Sequence, residues 1–410
     1  MPDRRILLAD ADAFFVAVAR MADPEGASKA PLLIVGGRPG GRGVVCSASY
    51  ETRAFGVRSA MPISQALRLC PDAMCVPVPR QACGTTSRAI AAVLARFTPV
   101  VEGASIDEWY LDLSGTEALY AGETLEGTAQ RIRAAVRQET GMLLSIGGGT
   151  SKLVAKLAAE RAKPRPEIGG TGVRIIAPGE EQEFLRGLTL AEIPGIGPKL
   201  QQRLSSLGLV RVEDVLPHER DTLARWLGRR PAEWLWARVR GIHASPVEAR
   251  ASARQMSRET TFNRDIAETA ALSTALRGLA ARVAADMRGD RLGARTVTVK
   301  LKDADFTTRL ASRTLPEPVE SDRAIAEVAI ALLGKLRTAR RVPARLVGVA
   351  LGNFVPARDA EQLALFGTGP VVERAQDRAV SRAVDRVRER YGAGAIRAGA
   401  GGGAGARGPS

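Results

Sequence analysis

The sequence predicts an α+β protein of several domains, and three observations carry that prediction. Over residues 1–170, short apolar runs bounded by turn residues alternate with longer amphipathic segments. From about 180 the pattern changes to short helices around Pro194-Gly195-Ile196-Gly197. From 267 onward, long helices again alternate with strands. A length of 410 residues suits about three domains.

In chain order, residues 6–9 are a short apolar strand that ends in Asp10-Ala11-Asp12, and 14–18 are a buried strand or a helix start. Residues 31–35 are a second strand, followed by a loop, Gly36-Gly37-Arg38-Pro39-Gly40-Gly41. An extended piece at 44–46 leads to Tyr50-Glu51-Thr52-Arg53; residues 62–70 form a short amphipathic helix and 82–96 a longer one. Residues 98–106 and 109–113 are strands flanking the pair Asp107-Glu108. A helix at 123–139 carries arginines on one face, 143–146 is a strand, and the helix at 152–161 is stopped by Lys163-Pro164. The Pro-Gly-Ile-Gly turn precedes a helix at 200–207, and 211–242 stay helical with Trp226, Trp234 and Trp236 as core. A helix at 267–288, a hairpin of 296–302 with 306–313, a helix at 324–336 and a closing strand at 346–351 follow. Beyond Pro356 come an isolated Gln362-Leu363-Ala364-Leu365-Phe366, a charged helix at 371–391 and a Gly/Ala-rich tail expected to be disordered.

Composition removes several classes of function. No apolar run approaches the ~20 residues that cross a bilayer. The N-terminal stretch has an aspartate pair inside its apolar part and no small-residue cleavage site, so it does not look like a signal peptide. Four cysteines make no disulfide framework and point to a reducing, cytoplasmic setting. Only two histidines, His218 and His243, argue against a zinc site and against His-based acid–base chemistry. Residues 1–150 carry 15 basic and 15 acidic side chains, whereas 151–410 carry 44 and 29, so the whole net charge of +15 sits in the back of the chain. A neutral front and a basic back suit a catalytic part followed by a part that grips a polyanion, although an arginine-rich coding bias accounts for the charge as well. Lysine is scarce, eight in all, yet three lie together at Lys152, Lys156 and Lys163.

Two acidic clusters stand at strand edges, Asp10 and Asp107-Glu108. A carboxylate there is expensive unless it meets a cation. Three carboxylates from neighbouring strands can hold two Mg²⁺ ions for in-line phosphoryl transfer. Helix-cap and turn roles explain the same acids equally well from spacing alone. Tyr50 and Arg53 share a turn, and Lys163 follows a helix; this phenol, guanidinium and ammonium suit a triphosphate. A solvated surface is the competing account of each taken singly. The glycines of Pro194–Gly197 let backbone N–H groups approach a phosphate, or simply make a tight helix–helix turn.

These residues together carry a resemblance. Residues 6–15 (ILLADADAFF), Tyr50-Glu51-Thr52-Arg53 with Phe55-Gly56-Val57, Ser105-Ile106-Asp107-Glu108 with Tyr110-Leu111-Asp112, and Ala162-Lys163-Pro164 resemble the Y-family translesion DNA polymerases, in the DNA polymerase IV branch, over roughly residues 5–355. The resemblance implies a right hand: palm at 1–13 and 79–170, fingers at 14–78, a thumb with a helix-hairpin-helix at 171–242, a little finger at 251–355 and a tail at 356–410. It implies template-directed addition of deoxynucleotides to a primer 3′-OH past damaged templates. Asp10, Asp107 and Glu108 fall on the family's metal-binding carboxylates, for two Mg²⁺ ions, with the carbonyl of Ala11 as a further ligand. Phe15 falls on the steric gate that rejects a ribose 2′-OH, whereas the residues alone favour a plain core aromatic. Ser47, Tyr50, Arg53 and Lys163 fall on triphosphate contacts, and Gly195, Gly197 and Lys199 on thumb contacts to DNA. Strands such as 296–302 are expected in the major groove, against phosphates.

Gln362, Leu363, Leu365 and Phe366 resemble the bacterial sliding-clamp-binding peptide, two apolar anchors and an amide outside the folded core, with a stray apolar patch as the alternative. The implied partners are primer–template DNA, deoxynucleoside triphosphates and the clamp, with no membrane and a monomeric chain. Four departures accompany the match: Ala19-Arg20 replaces a glutamate, Trp109 a smaller residue, Gly147–Lys152 a Gly-x-Ala/Ser-x-Asn-Lys pattern, and 165–170 lengthen the segment after Lys163. Trp109 is expected to reshape the pocket floor. A catalytically silent bridging protein and a template-free palm enzyme are the rival functions. The intact carboxylates oppose the first, and the basic back half opposes the second.

Overall fold

The computed structural model describes residues 4–120, 122–164, 169–249, 253–357, 373–392 and 394–396. The chain divides into two compact units, Met1–Ala251 and Ser252–Ser410. Among the described residues no helix is long and apolar enough to cross a membrane, and all four cysteines are free thiols.

The first unit begins with β1 (Ile6–Ala11), buried along its length except for a partly exposed Asp10. Ala13 is left-handed (φ 46°) and turns the chain into α1 (Phe14–Ala22), so the apolar run after Asp12 is helix. Next come β2 (Leu33–Gly36), β3 (Val45–Ala48), α2 (Tyr50–Ala54), α3 (Ile63–Leu69) and β4 (Met74–Pro77). They build a three-stranded sheet in the order β3-β2-β4. Ser49 opens α2, its hydroxyl accepting the Thr52 N–H at 3.3 Å.

Helix α4 (Arg80–Leu94) leads to β5 (Val101–Gly103) and β6 (Glu108–Asp112), then α5 (Leu125–Thr140), β7 (Leu144–Gly149), α6 (Lys152–Ala162) and β8 (Val173–Ile175). The five-stranded sheet runs β5-β6-β1-β7-β8. One face packs Leu7, Ala9, Trp109 and Leu111 on Phe14, Ile90, Leu94 and Ile132. The other packs Ile6, Leu8 and Tyr110 on Ala155 and Ala159 of α6. The strand expected at 143–146 runs on to Gly149 because α6 lies directly on it: a Cβ at Gly147 would sit 1.9 Å from the Ala159 nitrogen. The unit ends in five short helices, α7 (Glu181–Arg186), α8 (Pro198–Ser205), α9 (Val212–Val215), α10 (Arg220–Leu227) and α11 (Arg229–Arg238), around Leu185, Ile193, Ile196, Leu204 and Leu235. The three tryptophans expected inside this core pack on its rim instead. Arg220 and Arg240 lie 3.9 and 4.2 Å from the Trp236 ring centre, so the indole is capped by cations rather than enclosed.

The second unit comprises β9 (Gln255–Ile266), α12 (Thr269–Gly289), β10 (Leu292–Asp303), β11 (Thr308–Val319), α13 (Asp322–Ala339), β12 (Ala344–Pro356) and α14 (Ala375–Tyr391). Its four strands are antiparallel in the order β11-β10-β12-β9. The expected hairpin is β10 with β11, and its period of two sends Val297, Val299 and Leu301 into the core with α12 and α13. The alternate residues Thr296, Thr298, Lys300 and Lys302 lie on the opposite face. Strand β9 had no apolar alternation to reveal it, because it is an edge strand with no fully buried residue. The tail at 397–410 lies outside the described residues.

Candidate active site

The pairing of β1 with β6 sets Asp10 directly across from Glu108. The Ala11 N–H donates to the Asp107 carbonyl at 2.9 Å, so all three acids gather at one end of this strand pair. Alternation then decides which way they face. Ile6, Leu8 and Asp10, with Glu108 and Tyr110, turn toward α6, and Leu7, Ala9, Trp109 and Leu111 turn away. Trp109 is therefore buried in the core on the sheet face opposite Glu108, not on the expected pocket floor.

Helix α6 brings cations to that face. Lys156 Nζ donates to both Glu108 oxygens at 2.7 and 2.8 Å. Lys163 Nζ lies 3.0 Å from Asp10 Oδ2 and 2.7 Å from Glu160. Lys152 donates to Glu102 at 2.6 and 2.8 Å and sits 4.8 Å from the Tyr110 ring centre. Asp107 accepts from the Ser105 hydroxyl, and its N–H donates back to that oxygen at 3.2 Å. Lys156 and Ser105 were not foreseen; Lys156 lies 48 residues from its partner, and its only signal was the grouping of scarce lysines.

Burial pushes the Asp10 carboxyl up to about 6, with Lys163 working against it and the like charges of Glu108 and Glu160 adding to it. Burial also disfavours the Lys163 ammonium, but Asp10 and Glu160 together outweigh this and raise its pKa. The Tyr110 phenol is pushed above its ordinary range by burial and then by Glu108 and Glu102. A desolvated carboxyl facing a second one is a donor set of hard oxygens that suits a divalent cation. Among the described residues no three His, Cys, Asp or Glu side chains are grouped so that they could hold a metal ion as they stand. The carboxylates are engaged by Lys163, Lys156 and Ser105.

The other expected residues form separate groups. Ser47, Tyr50 and Arg53 do come together: Arg53 donates to the Ala48 carbonyl at 2.9 Å and to the Ser47 hydroxyl at 3.4 Å, and lies 5.1 Å from the Tyr50 ring centre. Lys163, expected beside them on a triphosphate, is placed on Asp10. Phe15 is half-buried and edge-on to Phe14 at 5.5 Å, against the cluster of Val16, Leu33 and Val35. Gly195 has φ 101°, and a Cβ there would meet Trp234 at 2.7 Å, so this turn requires glycine twice over. Gly197 precedes α8, and it and Lys199 are exposed. Gln362, Leu363, Leu365 and Phe366 lie outside the described residues.

Comparison with known proteins points one way. The impB/mucB/samB family matches residues 9–160, its C-terminal domain 253–365, and the helix-hairpin-helix (HHH) motif of the IMS family 178–209. DNA polymerase IV of Dehalococcoides mccartyi (strain CBDB1) is 35% identical over 411 aligned residues, covering 97% of this chain and 98% of that protein. DNA polymerase IV of Xanthomonas axonopodis pv. citri (strain 306) is 37% identical over 371, covering 90% and 100%. Among solved structures, the Y-family DNA polymerase chimera Dbh-Dpo4(243-245)-Dbh superposes with a TM-score of 0.75 at 26% identity, over 86% of this chain and 99% of that one. DinB from Sulfolobus solfataricus gives 0.58 at 26% identity, over 86% and 100%. The acids at the β1–β6 end, the helix-hairpin-helix and the sheet of the second unit all fall within the matched segments, and the chain belongs to the impB/mucB/samB family, in the DNA polymerase IV branch of the Y-family translesion DNA polymerases.

Proposed function

We propose that this DNA-directed DNA polymerase carries out its chemistry at Asp10, Asp107 and Glu108. The observation that carries the proposal is the register that sets Asp10 opposite Glu108 beside Asp107. Polymerases of this family are metal-dependent; here Asp10, Asp107, Glu108 and the Ala11 carbonyl are the groups that would hold two Mg²⁺ ions. Those ions, when bound, lower the pKa of the attacking hydroxyl and neutralise the leaving pyrophosphate. The primer 3′-hydroxyl gives its proton to solvent as its oxygen bonds to the α-phosphorus, and the bond from that phosphorus to the bridging oxygen breaks, so pyrophosphate leaves with the electron pair. The chain's own residues position these atoms, and none of its side chains is assigned as general base.

Ser47, Tyr50 and Arg53 receive the triphosphate, with Lys163 shared between it and Asp10. Phe15 rejects a ribose 2′-OH by contact. The exposed backbone of Gly195 and Gly197 with Lys199 holds phosphates without reading sequence. The hydroxyl- and lysine-bearing face of the second unit's sheet, with Thr296, Thr298, Lys300 and Lys302, lies along the duplex backbone. The palm occupies 1–13 and 79–170, the fingers 14–78, the thumb 171–242 and the little finger 251–355. Residues 362–366 tether a monomeric, cytoplasmic enzyme to the sliding clamp, which raises its effective concentration at the primer end.

Primer extension on a defined template tests this. Asp107→Ala is expected to lose on the order of 1000-fold or more in rate while binding primer–template normally. Retained extension overturns the metal assignment. With the clamp added, Leu365→Ala with Phe366→Ala is expected to lose clamp stimulation and keep unstimulated extension; surviving stimulation removes the tail peptide as tether.

A further inference from the structure

The catalytic acids are not the only charged groups arranged on this sheet face. Lys152, Lys156 and Lys163 are spaced by four and seven residues, which puts them within about 40° of one another around a helix axis. Each meets an acid from a different strand: Glu102 beside β6 on β5, Glu108 on β6, and Asp10 on β1. Three of the chain's eight lysines are used here, although 59 side chains are Lys or Arg.

The residue type is informative because the same chain holds other paired acids, one fully buried and one partly exposed, differently. Asp303, fully buried in the second unit, is gripped by the Arg309 fork at 2.8 and 3.0 Å and by Arg340 at 2.9 Å. Arg288 grips Asp385 in the same two-pronged way, at 2.7 and 3.0 Å. A guanidinium fork holds a carboxylate at two points and resists exchange, whereas an ammonium is a single compact charge on a flexible stem. Among the three lysines, Lys156 is 37% exposed, against 13% for Lys152 and 14% for Lys163, so it alone has an open path to water.

We propose that Lys156 is a positioning residue for Glu108, an exchangeable internal cation that sets how tightly the free protein takes up a divalent ion. It holds the Glu108 carboxylate in place beside Asp10 and offsets their repulsion. An arriving cation must displace it, and its exposure lets it swing out while Lys163 stays. Its being lysine rather than arginine is what keeps that exchange open. This rests on Asp10, Asp107 and Glu108 being the metal ligands.

The test is Mn²⁺ binding to the full chain without DNA or nucleotide, followed by the electron paramagnetic resonance signal of free Mn²⁺. Lys156→Gln removes the competing charge and is expected to tighten binding roughly three- to fivefold, the range an accessible ion pair supports. Lys156→Arg is expected to weaken it, because the fork holds Glu108 against exchange. Lys152→Gln, which faces Glu102, is expected to stay within about twofold of wild type. A merely structural Lys156 predicts equal or weaker binding on its removal, and that result overturns the proposal if Glu108→Gln weakens Mn²⁺ binding. If Glu108→Gln binds as wild type does, the ligand assignment itself fails, and the proposal with it. Should Lys156→Gln not fold, Lys156→Arg decides alone, since unchanged affinity there is equally fatal.

Discussion

The two units hide an aspartate in opposite ways. Asp303 in the second unit is fully buried and satisfied by two arginines: Arg309, which also donates to the Leu336 and Arg340 carbonyls, and Arg340, which also donates to the Asp305 carboxylate. Asp10 in the first unit is mostly but not fully buried, and it meets one lysine that is shared with Glu160 and faces a second carboxylate across the strand pair. The first arrangement is closed: every charge has a fixed partner. The second is under-compensated, and burial lifts the Asp10 carboxyl to about 6. On the proposed function, a site that takes up a cation and releases a product is left less fully satisfied than one that only locks a hairpin.

Breaking each site sharpens that comparison. Asp303→Asn leaves two guanidinium groups facing a neutral amide, and it is expected to destabilise the second unit by about 3–5 kcal/mol. Denaturant unfolding measures this, and a loss under about 1 kcal/mol would show that the clamp is decorative.

Asp10→Asn is expected to behave in the other direction. The folded pKa of Asp10 lies above its ordinary value of 3.8, so the fold binds that proton more tightly than the unfolded chain. Stability from this group is therefore present below about pH 4 and lost as pH rises through about 6. An asparagine does not titrate. In chelator-treated buffer, the variant's melting temperature relative to wild type is expected to climb between pH 4 and 7 and then level off, with roughly 3 kcal/mol as its ceiling. A flat difference would mean that Lys163 fully compensates the buried charge.

Phe14 and Phe15 make the smallest version of the same contrast, adjacent rings of which one is buried and the other half-exposed. Phe15→Ala is expected to reduce the preference for deoxy- over ribonucleotides by roughly 100-fold, about 2.7 kcal/mol, with little change in melting temperature. Ratios of kcat/KM for the two sugars test it, and unchanged selectivity removes Phe15 from the gate.

Much of the fold was legible because its signals are local. Ala9-Asp10 near a strand end, the Pro194–Gly197 turn and the β10–β11 hairpin each declare themselves within a few residues. Asp107-Glu108, expected between strands at 98–106 and 109–113, instead straddles the start of β6, with Glu108 its first residue and β5 confined to Val101–Gly103. The strand through Gly147–Gly149 was not legible: glycines signal loops until a helix is known to lie against them. Nor was β9, whose pairing partner is nearly a hundred residues away. Trp109 looked like a pocket residue only because its neighbour Glu108 resembles one of the family's metal-binding carboxylates, and strand alternation sends it to the other face.

By itself the sequence determined which chemistry was available: three hard carboxylates, a phenol–guanidinium pair on one turn, scarce lysines grouped on one helix and a basic back half. Residue identity and short-range spacing are enough for that, because capping, periodicity and turn preference act over a few residues. Only the tertiary structure decided which groups meet. It set Asp10 against Glu108, gave Lys156 to Glu108 and Lys163 to Asp10, and left Ser47, Tyr50 and Arg53 as a separate cluster. Those pairings depend on strand register and on the face that α6 presents, and a shift of one residue in either would point every one of these side chains elsewhere.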